Sequence, residues 1–204
     1  MRPFPFSPRH TEGVGRAFRD EIDRAIAGLS RGVREILDWG GYALVTGLTV
    51  VDAEPGLAGQ RPRGYPPDAT WENSPGGYLG GTAKRIVVAE TYRDYESDRF
   101  VPCTHVAGAL RHEVGHALDD ALGGVSAGVE FLSVYVRDRL RLRERNLQDE
   151  LAYFLNEDLK AGADETFAEL VAIACGGGAA GVDELMASTF EDSLALVKRI
   201  LEDL

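Results

Sequence analysis

The chain has 204 residues, 44% hydrophobic and 27% charged, proportions that place it among folded globular proteins and exclude disordered and fibrous classes. Its 22 Lys and Arg against 33 Asp and Glu leave a formal charge of −11, which argues against phosphate-backbone binding and so against nucleic acid as a partner. The longest uncharged runs, residues 39–51 and 170–182, are too short for a membrane span, and no secretory leader is visible, so localisation stays open. Cys103 and Cys175 are too few for a disulfide framework; two buried free thiols are the reading, with a single pair between them the alternative.

Residues 1–10, with Pro3, Pro5 and Pro8, read as an extended arm, and residues 11–204 as one domain. Over residues 11–39 apolar positions from Phe18 to Leu37 recur at three- and four-residue steps, which predicts one amphipathic helix closed by Gly40-Gly41. Residues 42–52 are rich in β-branched side chains and predict a strand, with a kink at Gly47. Residues 54–81, with seven Gly and five Pro, predict a long loop or hairpin region. A second strand follows at 84–92, centred on Ile86-Val87-Val88. Beyond it the periods are helical, over 104–122, 126–145, 147–159, 164–175 and 182–204. That order predicts an α+β, mainly helical fold with a small N-terminal mixed sheet and a C-terminal helical lobe.

The segment that carries chemistry is His112-Glu113-Val114-Gly115-His116, an HExxH motif inside one of these helices. Four helical residues advance about 6 Å and just over one turn, so both imidazoles leave the same face and can grip one Zn²⁺. Glu113 stands at the edge of that face, placed to take a proton from a water on the metal as that water attacks a carbonyl. The competing reading is a solvent-facing helix that happens to carry two histidines.

A third ligand is needed, and the chain has no histidine after His116. Asp119 and Leu122 stand where an HExxHxxGxxH or HExxHxxGxxD pattern needs glycine and its last ligand, so the metzincin pattern is excluded. His105 lies too far along the helix, about 10 Å from His112, to share a metal. A carboxylate remains, from Asp149, Glu150, Glu157, Asp158, Glu165, Glu169 or Glu184. Glu165 and Glu169 stand out because they lie four apart in an otherwise apolar helix, where unpaired acids are costly. One of the two can ligate while the other accepts a ligand histidine's free N–H. A solvated helix face is the alternative.

His112–Asp120 together with Glu165-Thr166-Phe167-Ala168-Glu169 resembles the zinc-protease domain of anthrax lethal factor and its bacterial relatives, which include secreted proline-specific endopeptidases. The resemblance is strong over residues 85–174 and faint elsewhere. It implies a zincin-like metalloendopeptidase of the gluzincin type, acting on a peptide or protein substrate. In that reading His112, His116 and Glu165 bind zinc, Glu113 is the general base and Glu169 orients a ligand histidine. The family also carries an oxyanion-stabilising tyrosine seven residues before the third ligand, where this chain has Asp158. Tyr153 takes that role if a few extra residues lie within 156–163; Tyr135 is a weaker alternative, and a core tyrosine is the bland one. In such proteases an edge strand before the motif helix pairs with an extended peptide, a part the strand at 84–92 would fill, flanked by a mobile segment at 76–81.

Two other functions fit the same motif. A binding module with a structural zinc would close the site with a fourth ligand such as Cys103 or Cys175. A toxin-like effector protease would cut one protein target only.

Overall fold

The protein is described by a computed structural model over residues 6–63, 65–142, 150–156, 158–178 and 181–204. Its helices are α1 (Arg16–Gly28), α2 (Arg31–Trp39), α3 (Val50–Ala53), α4 (Val106–Ala121), α5 (Val129–Arg141), α6 (Leu159–Ala174), α7 (Asp183–Thr189) and α8 (Glu191–Glu202). Its strands are β1 (Arg9–His10), β2 (Ala43–Gly47), β3 (Gly76–Leu79), β4 (Arg85–Ala89), β5 (Thr91–Arg93) and β6 (Phe100–Pro102). The main sheet runs β1-β2-β4-β3, parallel except for the antiparallel β3, and β5 pairs with β6 as a separate antiparallel ribbon. The α+β class and the helical C-terminal half agree with the sequence reading.

Ile86, Val87, Val88 and Ala89 of β4 are all fully buried, because the strand is covered on both faces. Ile86 and Val88 join the main core under α1, α2 and α4, while Val87 and Ala89 join Val50 of α3 on the opposite face. β4 is therefore an internal strand, and the expectation that residues 84–92 form the sheet edge is corrected. The edge is β3, whose Gly76-Gly77-Tyr78 lies inside the segment read as a mobile flank. Small residues at 76 and 77 hid that strand, and one of them is needed for packing, since the Trp71 ring fills the space a side chain at Gly77 would take.

Other differences come from side chains that bond the backbone locally. The helix expected over 11–39 is two helices, because Leu29 is extended and the Ser30 hydroxyl accepts from Val33 N at 3.1 Å, starting α2. The strand expected over 42–52 stops at Gly47, because Thr49 and Asp52 bond each other's backbone and open α3. The helix expected from 164 begins five residues earlier, where the Asp158 carboxylate accepts from Lys160 N and Ala161 N. The last helix breaks at Phe190, whose fully buried ring takes a non-helical backbone between α7 and α8. Of the helices expected over 126–145 and 147–159, residues 143–149 and 157 lie outside the described residues, and 151–155 form turns. Within the arm expected at 1–10, residues 1–5 also lie outside them, Phe6 is buried in the core, and Arg9–His10 pair with β2.

The contact that positions everything else is α4 against α6. Both helices are buried on most sides, α6 almost continuously from Gly162 to Ala172. They meet closest at Gly115, where a Cβ would stand 2.6 Å from the Ala168 backbone. Gly115→Ala is expected to lower the unfolding free energy by about 1–3 kcal/mol, despite the better helix propensity of alanine, because backbone cannot move aside. Urea titration of the two proteins checks this, and an unchanged midpoint would count against so tight a crossing.

Candidate metal centre

The tight crossing sets the second and third turns of α4 against the middle of α6. His112 Nε2 and His116 Nε2 lie 3.2 Å apart, and Glu165 Oε2 is 3.3 Å from each. Among the described residues, these three form the one cluster of His, Cys, Asp or Glu side chains able to hold a metal ion. A tetrahedral ion with ligand distances of roughly 2.0–2.1 Å requires ligand atoms about 3.3–3.4 Å apart, so the triangle already has the size of one face. No cysteine joins it among the described residues. Cys103 and Cys175 are half-buried free thiols packed against the core.

The outer ring nitrogens are also committed. His112 Nδ1 meets Glu169 Oε2 at 2.7 Å, and His116 Nδ1 meets Asp164 Oδ1 at 3.2 Å. A carboxylate at each Nδ1 keeps a proton there, which turns both Nε2 lone pairs and Glu165 Oε2 toward one point. Three lone pairs converging at 3.2–3.3 Å need positive charge between them, and a divalent cation fits. Where no cation sits there, protons serve. Burial opposes charge on His112, yet its bonds to Glu165 and Glu169 hold it well above the usual histidine range. His116, also opposed by burial, is raised to about 9 by Asp164 and Glu165. Glu165 itself is pulled far below the ordinary carboxylate range by the two rings, against the cost of its own burial.

Glu113 is buried beside the cluster and does not join the triangle. Burial lifts its carboxyl above the usual range, and the two histidines only partly offset this. β3 passes directly over it, so that a side chain at Gly76 would start 3.2 Å from its Oε1. On α6, Glu169 is wholly buried, and the turn after the helix reaches it closely: a Cβ at Gly178 would stand 2.2 Å from Glu169 Oε1.

Tyr153 lines the cleft, and burial together with the nearby negative charge of Glu165 keeps its phenol protonated. Tyr135 is a core residue whose hydroxyl donates to Phe154 O at 2.6 Å, which removes it as a candidate for this site. Asp119 accepts from Ser126 N and Oγ at 2.6 and 2.8 Å, so it holds the turn after α4. The cleft around these groups has a volume of about 1170 Å³ and is bounded by β3, by Tyr65 and Trp71, and by Tyr153.

Three neighbours of the site lie beyond the sequence reading. Asp164 was passed over because a search for acids four apart on a helix does not select the residue next to Glu165. Tyr65, whose hydroxyl lies 3.1 Å from Ser74 Oγ, lies in the segment that the sequence predicts only as a long loop or hairpin region. Arg63 reaches the site from that same segment, with Nη2 bonded to Asp164 Oδ2 and 3.6 Å from Glu165 Oε1. No local signal ties position 63 to positions 164 and 165.

No protein-family model and no curated protein matches this chain. Among solved structures, a Pro-Pro endopeptidase from Paenibacillus alvei has the same fold, with a TM-score of 0.60, 18% identity, and coverage of 93% of this chain and 96% of that one. The α+β architecture is thus the fold of that structure. No helix among the described residues is long and apolar enough to cross a membrane.

Because the surrounding carboxylates raise both rings, His116 to about 9, an entering cation has to compete with protons for the ring nitrogens. Binding of a divalent cation is expected to release protons at pH 7, and its apparent affinity to climb with pH until the rings are neutral, near pH 9 for His116. Calorimetry in buffers of different ionisation heat measures this, and a binding heat independent of buffer would contradict it.

Proposed function

We propose that this chain is a zinc-dependent endopeptidase of the two-His-one-Glu kind, related to the lethal-factor-like metallopeptidases, with His112, His116 and Glu165 holding the ion. What carries the reading is the 3.2–3.3 Å triangle of inward-facing donor atoms, with a carboxylate on each outer ring nitrogen. Bound zinc supplies Lewis acidity, which brings the pKa of water to about 7 and polarises a carbonyl oxygen.

The remaining work falls to side chains of the cleft. Glu113, with its raised affinity for a proton, takes one from the attacking water and passes it to the departing amine. Glu169 and Asp164 hold the two rings in the tautomer that presents Nε2 inward. Tyr153, kept protonated, donates its hydroxyl to the carbonyl oxygen as negative charge develops there. The peptide lies extended along β3, the sheet edge that borders the cleft, so main-chain pairing supplies affinity and the walls supply selectivity.

Glu113→Ala is expected to keep zinc and abolish hydrolysis, and Tyr153→Phe to lower kcat about 10²–10³-fold with a smaller change in KM. Metal analysis, with mapping of new N-termini in a proteome treated with wild-type protein or Glu113→Ala, tests the first claim. Identical fragment sets from both proteins would refute the assignment. Steady-state kinetics on a peptide found this way tests the second.

A further inference from the structure

The two oxygens of Glu165 have different partners. Oε2 faces the ring nitrogens at 3.3 Å from each, while Oε1 lies 3.6 Å from Arg63 Nη2. We infer that Arg63 is a positioning residue that holds Glu165 to one-oxygen ligation, keeping one coordination position of the metal open; this rests on the zinc-peptidase reading above. A carboxylate beside a metal can turn its second oxygen inward and chelate. That raises the coordination number and occupies the place a catalytic site must leave for water and substrate. A guanidinium drawing the outer oxygen away opposes that rotation by a charge-assisted contact.

Arg63 is well placed to keep this hold. The turn it occupies is closed by a bond from Tyr65 N to Pro62 O at 3.4 Å, and Tyr65 is tied to Ser74 just before β3. The same guanidinium nitrogen bonds Asp164, so Arg63 spans the carboxylate that holds His116 and the one that completes the triangle. Half-exposed as it is, Arg63 can be replaced without opening the core.

Cobalt(II) in place of zinc reads the coordination number directly from its visible absorption. The wild-type protein is expected to give the intense bands of a four-coordinate site. In Arg63→Gln the absorptivity should fall roughly threefold as Glu165 chelates. With zinc, the same variant should lose about 10–100-fold in kcat with little change in KM. Arg63→Lys, which keeps a charge without the planar fork, should fall between them. Asp164→Asn frees His116 but leaves Oε1 with Arg63, so it should weaken zinc binding and keep the four-coordinate spectrum. A wild-type spectrum in Arg63→Gln, with its thermal melt unchanged, overturns the inference and leaves the peptidase reading standing. If wild-type protein binds cobalt but cuts no peptide, the peptidase reading falls, and the cobalt spectra still decide the role of Arg63. If it binds no metal, both fall.

Discussion

Everything at the centre of this protein depends on two helices crossing with backbone against backbone. Gly115 of α4 admits the Ala168 backbone of α6, and the flanking residues are thereby set face to face. His112 and His116 stand on either side of that glycine by three and one positions, and Glu165 and Glu169 flank Ala168 by three and one. The inward triangle and the bond from His112 to Glu169 both follow from this register. A longer interaxial distance would separate the donor atoms, and a one-residue slip of α6 would swing Glu165 off the common face by about 100°.

Pattern carried the reading of the sequence furthest where it was dense and local. HExxH on an apolar helix fixes two side chains by helix geometry alone. Glu165 and Glu169 were found because acids in an apolar helix demand partners, and the structure supplies them: two imidazoles for Glu165 and the His112 ring for Glu169. Periodicity failed where a single side chain captures the backbone. Ser30, Thr49 and Asp158 each end or begin an element without disturbing the apolar rhythm around them. It failed again at β3, where two glycines and a tyrosine form a strand with almost no β-branched signal.

What lay beyond reach was long-range and polar. Arg63 and Asp164 are 101 residues apart and meet only because the segment before β3 folds back over the N-terminal half of α6. Tyr78 is a similar case. Its ring stacks on His116 with centroids 6.4 Å apart, and its hydroxyl donates to Asp120 at 2.6 Å, alongside Tyr42. His116 is thus confined by Asp164 at its outer nitrogen and by an aromatic face beside it. Neither contact leaves a trace in the spacing of residues along the chain.

The charges of the site explain why such a cluster can sit inside a stable fold before any ion arrives. Asp164, Glu165 and Glu169 face the Arg63 guanidinium and two imidazole rings whose affinity for protons they raise. A divalent ion that displaced ring protons would add less net charge than one entering a proton-free site, in a buried region where net charge is costly. Glu113 is outside this accounting: no partner in the cluster neutralises it, and burial raises its proton affinity. In the reading proposed above, this is the carboxylate that moves the proton.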